Sequence, residues 1–76
     1  MKAFYPRPNL SEIRNELLAG NDRITEPFEF DFNSFEVDVL ATVRRNRRCS
    51  ERQTEVLASA CNVAWIRIVR RLEEEQ

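Results

Sequence analysis

The sequence predicts a small, mainly α-helical domain, and three observations support this fold class. The 76 residues include one Gly and three Pro, so few positions interrupt a helix. Apolar residues recur at helical spacing in three stretches of the chain. Each stretch begins with a pair of residues at the spacing of a capping box, in which an Asn or Ser caps the helix and a Glu or Gln comes three residues later. The three pairs are Asn9 with Glu12, Asn33 with Glu36, and Ser50 with Gln53.

Residues 1–33 are expected to hold a short helix between two non-helical segments. Residues 1–8 carry two prolines, which favour an extended arm. Asn9 or Ser11 can cap a helix that ends at Gly20, because glycine readily adopts the left-handed conformation of a helix stop. The apolar face of this helix consists of Leu10, Ile13, Leu17 and Leu18.

The connection at residues 21–33 contains three phenylalanines that alternate with acidic residues. Phe28, Phe30 and Phe32 are separated by Glu29 and Asp31. Strict alternation favours an extended strap with phenylalanines on one side and carboxylates on the other. Two interpretations stay open: the strap packs over the helical core, or it is an edge strand that binds a partner.

Residues 34–76 are expected to form a helical hairpin, which completes a single domain over residues 1–76. The hairpin's first helix, at about 34–47, begins with acidic residues and ends with arginines, as the helix dipole favours. Its second helix, at about 51–73, follows after a joint so short that the two helices must be antiparallel or strongly angled. The residues expected to face the core are Phe35, Val39, Leu40 and Val43, and then Leu57, Ala60, Cys61, Ala64, Trp65, Ile68 and Leu72.

The last helix has more apolar surface than its hairpin partner can cover. Val56, Val63 and Ile66 project away from its main apolar face. At 1.5 Å per residue this helix is roughly 35 Å long, whereas the helix before it is only about 20 Å long. We expect the first helix and the strap to cover part of the surplus. Another protein, or a second copy in a homodimer through residues 51–73, is expected to cover the rest.

The sequence offers little of the chemistry that catalysis requires. It contains no His, which excludes Ser-His and Cys-His dyads and imidazole metal ligands. The lone Gly20 cannot build a phosphate-cradling loop. Cys49 and Cys61 lie roughly 18 Å apart on one helix, too far for a disulfide, and no metal-ligand spacing is present. We expect a non-enzymatic protein with two free thiols, no cofactor and no metal.

The hydropathy of the chain gives no reason to expect a membrane partner. No apolar run approaches the roughly 20 residues that cross a bilayer. The first ten residues lack the apolar stretch of a signal peptide. The expected location is therefore the cytoplasm.

Charge is distributed unevenly along the chain. Residues 1–40 hold 4 basic and 8 acidic side chains, whereas residues 41–72 hold 8 arginines and two glutamates. Guanidinium groups favour carboxylate, phosphate or aromatic partners. Three interpretations stay open for the arginines around the hairpin turn: internal pairing with the acidic half of the chain, docking on an acidic protein surface, or contact with nucleic-acid phosphates. These arginines are Arg44, Arg45, Arg47, Arg48 and Arg52.

Two stretches resemble segments of known protein classes. Glu51-Arg52, followed by Val56-Leu57, resembles the opening of the first helix in some bacterial transcription-factor DNA-binding domains. The segment from about 35 to 60, a helix with a basic end followed by Ser-Glu-Arg-Gln, is similar to helical hairpins of phage and prophage proteins. In type, a compact chain without site chemistry is similar to small phage proteins that bind host machinery, such as RNA polymerase inhibitors and anti-CRISPR proteins.

The function expected from these observations is that of a protein-binding inhibitor or regulator. It would occlude a host machine of transcription or defence by docking on a host protein with an acidic surface. The alternative is a dimeric nucleic-acid-binding regulator that contacts phosphates through its arginine-rich turn. The residues expected to bind the partner are Arg44, Arg45, Arg47, Arg48, Arg52, Val63, Ile66 and Arg70.

Overall fold

The structure is a computed structural model that describes Arg7, residues 9–21 and residues 23–75. It contains three α-helices, with a 3-10 helix at Glu26–Asp31 between the first two. The α-helices are α1 (Leu10–Leu18), α2 (Ser34–Asn46) and α3 (Glu51–Glu74). The described residues form no strand, so the predicted all-α fold is confirmed. The predicted arm at residues 1–8 lies, apart from Arg7, outside the described residues.

The helix starts are set by the capping pairs. The Asn33 side chain accepts a hydrogen bond from the Glu36 amide at 2.8 Å, and the Glu36 carboxylate accepts one from the Asn33 amide at 2.9 Å. Ser50 and Gln53 form the same reciprocal pair at the start of α3. At α1, Asn9 accepts from the Glu12 amide at 2.8 Å. Each cap satisfies backbone donors that a helix start leaves open, and is worth about 1 kcal/mol.

The other three elements pack on α3, which is the longest. Arg7, just before α1, donates a hydrogen bond to Asn62, while Leu18 at the end of α1 lies beside Gln53. Helix α1 therefore runs antiparallel to α3, as does its hairpin partner α2. The buried residues form one apolar cluster that draws on all four elements: Ile13, Leu17, Phe28, Leu40, Val43, Cys49, Leu57, Cys61 and Ala64.

The phenylalanine segment is helical, so the prediction of an extended strap is wrong. The amides of Phe28 and Phe32 donate to the carbonyls three residues before them, at 2.9 and 3.1 Å. With about three residues per turn, phenylalanines two apart point to different sides. Phe28 is buried, Phe32 packs at the edge of the core, and Phe30 is 70% exposed. Pro27 fits this conformation because a helix start needs no amide hydrogen there.

Phe35 also departs from the prediction that it faces the core. It lies in the first turn of α2 and is 61% exposed, whereas Leu40 and Val43 on the same helix are buried. Val39 packs at the edge of the core. The phenylalanines that pack in or against the core are instead Phe28 in the 3-10 helix and Phe32 at its end. In α1, Leu10 is likewise exposed, while Ile13 and Leu17 are fully covered.

We expect Gly20→Ala to lower the free energy of unfolding by about 1–2 kcal/mol, because Gly20 has the left-handed φ of +81°. An added Cβ would also meet the guanidinium of Arg47, although that group can move aside. Urea unfolding followed by circular dichroism measures the change. The same substitution in an Arg47→Ala background should cost as much. If it cost nothing there, the side-chain contact rather than the backbone would be the cause.

Helix α3 is long, but its charges and small polar residues set it apart from a bilayer-spanning helix. No helix among the described residues combines the length and the apolar character needed to cross a membrane.

Candidate functional site

Two arginines serve the internal architecture by pairing with carboxylates of the 3-10 helix. Arg44 donates to both carboxylate oxygens of Glu29, at 2.9 and 3.3 Å, and approaches the hydroxyl of the buried Thr25. Arg67 of α3 pairs with Asp31 at 2.7 Å. These contacts fasten the 3-10 helix to α2 and α3. Internal pairing, one of the three interpretations of the turn arginines, therefore applies to Arg44.

The remaining turn arginines are exposed at one end of the molecule. Arg45 lies in the last turn of α2, Arg47 and Arg48 in the joint, and Arg52 in the first turn of α3. None of these four forms an ion pair with any residue that the structure describes. These four arginines lie on both sides of the N-terminus of α3 in the sequence. The positive end of the helix dipole therefore adds to the positive potential that they produce there.

Helix α1 contributes a further arginine that the sequence analysis did not select. Arg14 lines the same shallow depression as Arg47 and Arg48. The other lining residues are Leu18, Cys49, Ser50 and Gln53. Arg14 precedes Leu18 by four residues and so shares its helix face. The spacing of Arg14 and Leu18 is visible in the sequence, but only the packing of α1 beside the joint places Arg14 near Arg47 and Arg48. We call Arg14, Arg45, Arg47, Arg48 and Arg52 the turn surface.

Arg47 holds its place on the turn surface by an uncommon backbone conformation. It ends α2 with a φ of +54°, a left-handed value at which Gly or Asn is usually found. Its guanidinium lies over Gly20, at the place where an added Cβ would meet it. The turn between α1 and the 3-10 helix therefore helps to position a guanidinium of the turn surface.

The other predicted partner-binding residues lie along the outside of α3. Val63 is 43% exposed, Ile66 is half-buried and Arg70 is exposed. Val63 is eleven residues beyond Arg52, a rise of roughly 16 Å. The structure therefore divides the predicted site into two surfaces: the turn surface, and an outer face of α3 that also includes Arg52. We define the outer face of α3 as Arg52, Val56, Ser59, Val63, Ile66 and Arg70.

The two cysteines are free thiols, as predicted, and both are buried. Cys49 is within hydrogen-bond distance of the Thr54 hydroxyl, at 3.0 Å. Burial raises the pKa of the Cys61 thiol to about 12, and the negative charges of Glu29 and Glu36 act in the same direction. Cys61 is therefore a small neutral core residue at physiological pH. Within the described part of the chain, no three His, Cys, Asp or Glu residues come together as metal ligands.

The raised pKa of Cys61 predicts that alkali destabilises the fold. A thiol that ionises more readily in the unfolded chain favours folding below its ordinary pKa of 9.0, and this contribution disappears as pH rises towards about 12. We expect the free energy of unfolding to fall across this window. Urea unfolding at several pH values measures the slope, and Cys61→Ala should flatten it. Equal slopes for the two proteins would contradict the assignment.

Comparison of the chain with protein-family models, with curated proteins and with solved structures finds no match. The site must therefore be interpreted from its own geometry. That geometry consists of an exposed arginine surface built from three helices, and a separate, partly apolar outer face on α3.

Proposed function

We propose that this protein is a non-enzymatic, cytoplasmic binding module that docks its turn surface on an acidic surface of another protein. In this proposal it acts by occlusion, covering a functional surface of a larger host machine in the manner of small phage inhibitors. The arginines provide charged hydrogen bonds to carboxylates, while Leu18 in the shallow depression provides an apolar contact. Interfaces commonly combine arginines with an apolar centre in this way.

The observation that carries this proposal is the contrast among the arginines. Arg44 and Arg67 have carboxylate partners at 2.9 and 2.7 Å. Arg45, Arg47, Arg48 and Arg52 have none among the described residues, and Arg14 joins Arg47 and Arg48 from a different helix. A concentration of like charges costs free energy through repulsion, which an acidic partner relieves. A bidentate guanidinium–carboxylate pair adds geometric specificity.

An affinity capture from bacterial lysate tests the proposal. The tagged protein is the bait, and each lysate is divided into nuclease-treated and untreated halves. We expect one protein to be retained in stoichiometric amount in both halves, and to bear an acidic surface. Its identity would also name the machine that is occluded. Retention that vanishes with nuclease would instead favour a nucleic-acid partner.

A nucleic-acid-binding function is the second candidate, and the turn surface itself is the observation in its favour. Arg14, Arg47 and Arg48 surround one depression beside the start of α3, where phosphate groups bind well. The net charge of −1 for the whole chain argues for the protein partner, since nucleic-acid-binding modules are usually basic. Binding to labelled DNA and RNA should weaken by orders of magnitude between about 50 and 200 mM salt if phosphates are the ligand.

A further inference from the structure

The shallow depression beside the start of α3 has an apolar floor and a basic rim. Its exposed lining is mainly apolar, although three of its seven lining residues are arginines. Leu18 is half-buried and Cys49 is buried, whereas Arg14, Arg47 and Arg48 are exposed. The aliphatic part of an arginine side chain adds apolar surface while its guanidinium stays in water. The depression therefore offers apolar surface surrounded by positive charge.

The hydrogen-bond acceptors among the lining side chains are already engaged. Ser50 Oγ accepts from the Gln53 amide at 3.1 Å, and Gln53 Oε1 accepts from the Ser50 amide at 2.9 Å. The Cys49 thiol lies 3.0 Å from the Thr54 hydroxyl. The side-chain groups left for a ligand are mainly donors, namely the guanidinium N–H groups and the Gln53 amide nitrogen. Such a site favours carboxylates and disfavours ammonium groups.

Nearby carboxylates do not offset the charge of this depression. Among the residues that the structure describes, no Asp or Glu lines it. Arg52, by contrast, lines a second depression together with Glu51 and Glu55, whose charges oppose its own. The positive charge of the turn surface is therefore concentrated on the side that faces α1.

We propose that this depression binds a short acidic segment of another protein, which inserts one apolar side chain between carboxylates. The apolar side chain covers Leu18, and the carboxylates accept hydrogen bonds from Arg14 and Arg48. Arg47, whose guanidinium lies over Gly20, adds positive charge beside them. Arginine clusters are a recurring means of recognising acidic peptide motifs. The protein in question is the partner of the proposed function, on which this inference rests.

The depression is formed without a ligand, because local contacts hold its walls. The capping box of Ser50 and Gln53 fixes the start of α3, and the left-handed φ of Arg47 fixes the end of α2. The exposed arginine side chains are the part that a ligand must order. A preformed site loses little conformational freedom when it binds. We therefore expect a peptide to bind without the rest of the partner protein.

A labelled synthetic peptide with one leucine between two pairs of glutamates is the probe, and fluorescence anisotropy with the full chain measures its binding. At about 0.15 M salt we expect a dissociation constant below about 1 mM. Replacing the leucine by serine should raise this constant about tenfold, because the apolar contact is lost. Replacing the glutamates by glutamines should raise it at least as much. No binding of the first peptide, or equal binding of all three, would overturn the proposal.

Arg14→Glu tests the site from the side of the protein. It should raise the dissociation constant of the leucine peptide at least tenfold, whereas the matched control Arg71→Glu should change it less than twofold. Both positions are exposed on helices, and circular dichroism checks that the helix content is unchanged. Equal losses in the two variants would contradict the assigned site. So would a thymidine oligonucleotide that displaced the labelled peptide at a lower concentration than the unlabelled peptide does, since phosphates would then be the preferred ligand.

The lysate capture separates a failure of this inference from a failure of the proposed function. If the peptide does not bind, but a protein retained from nuclease-treated lysate is lost from an Arg48→Glu bait, the protein partner stands and the acidic segment is wrong. If the peptide does not bind and no protein is retained in stoichiometric amount, both proposals fail.

Discussion

Leu57→Ala is expected to lower the free energy of unfolding by about 3–5 kcal/mol. Leu57 is fully buried on the inner side of α3, within the apolar cluster that joins all four elements. Truncating it removes apolar contacts and leaves a cavity that the surrounding helices cannot fill completely. A domain of this length has a total stability of only about 4–11 kcal/mol. The variant should therefore be partly unfolded at moderate temperature.

Leu10→Ala is the matched control for this prediction. It makes the same chemical change in α1, at a leucine that is 46% exposed. We expect it to change the free energy of unfolding by about 0.5 kcal/mol or less. Urea unfolding of both variants, followed by circular dichroism at the same protein concentration, gives the comparison. If the two substitutions had equal costs, α3 would not be packed as the structure has it.

Arg48→Glu is expected to weaken partner binding by about 2 kcal/mol, close to a thirtyfold rise in the dissociation constant. Arg48 is exposed, lines the depression of the turn surface and has no ion pair in the part of the chain that the structure describes. Reversing its charge therefore replaces an attraction with a repulsion at the interface, while few internal contacts are lost. Calorimetric titration with the purified partner measures the effect.

Arg71→Glu makes the same charge change at the opposite end of α3, roughly 35 Å away, and serves as the control. It should leave the affinity within about twofold, because long-range charge effects are screened at physiological salt. Both variants should retain the helix content of the original protein. A similar loss of affinity in the two variants would mean that net charge, rather than the turn surface, governs binding.

The helix boundaries could be predicted because the signals that set them are local. Asn33 with Glu36 and Ser50 with Gln53 satisfy backbone donors within a single turn, so the sequence spacing alone locates both helix starts. Gly20 is also a local signal, because the left-handed φ that stops the first helix is adopted by this single residue. The two helices of the hairpin begin at the predicted residues and end within one residue of their predicted ends.

The phenylalanine segment could not be predicted because distant partners decide its conformation. Alternation of Phe28, Phe30 and Phe32 with acidic residues is typical of a strand. The conformation is instead held by Glu29 on Arg44 and Asp31 on Arg67, contacts that span 15 and 36 residues. Once the carboxylates turn towards α2 and α3, the phenylalanines cannot all share one side.

Only part of the candidate site could be predicted, because contacts between distant residues are not visible in the sequence. Charge clustering around the hairpin turn is visible in the sequence, and in the structure Arg45, Arg47, Arg48 and Arg52 lie in or beside the joint between α2 and α3. The contribution of Arg14 depends on α1 packing beside the joint, which no local pattern specifies. The pairing of Arg44 likewise depends on the unpredicted 3-10 helix.

A quantitative capture from nuclease-treated lysate with three baits tests directly whether the turn surface binds a protein partner. The baits are the original protein, the Arg45→Glu/Arg48→Glu variant and the Arg71→Glu control, all checked for helix content. We expect one protein to be retained in stoichiometric amount by the original and by Arg71→Glu, and to be lost from the double variant. Equal retention by all three baits would contradict a role for the turn surface, and so would the absence of any stoichiometric protein.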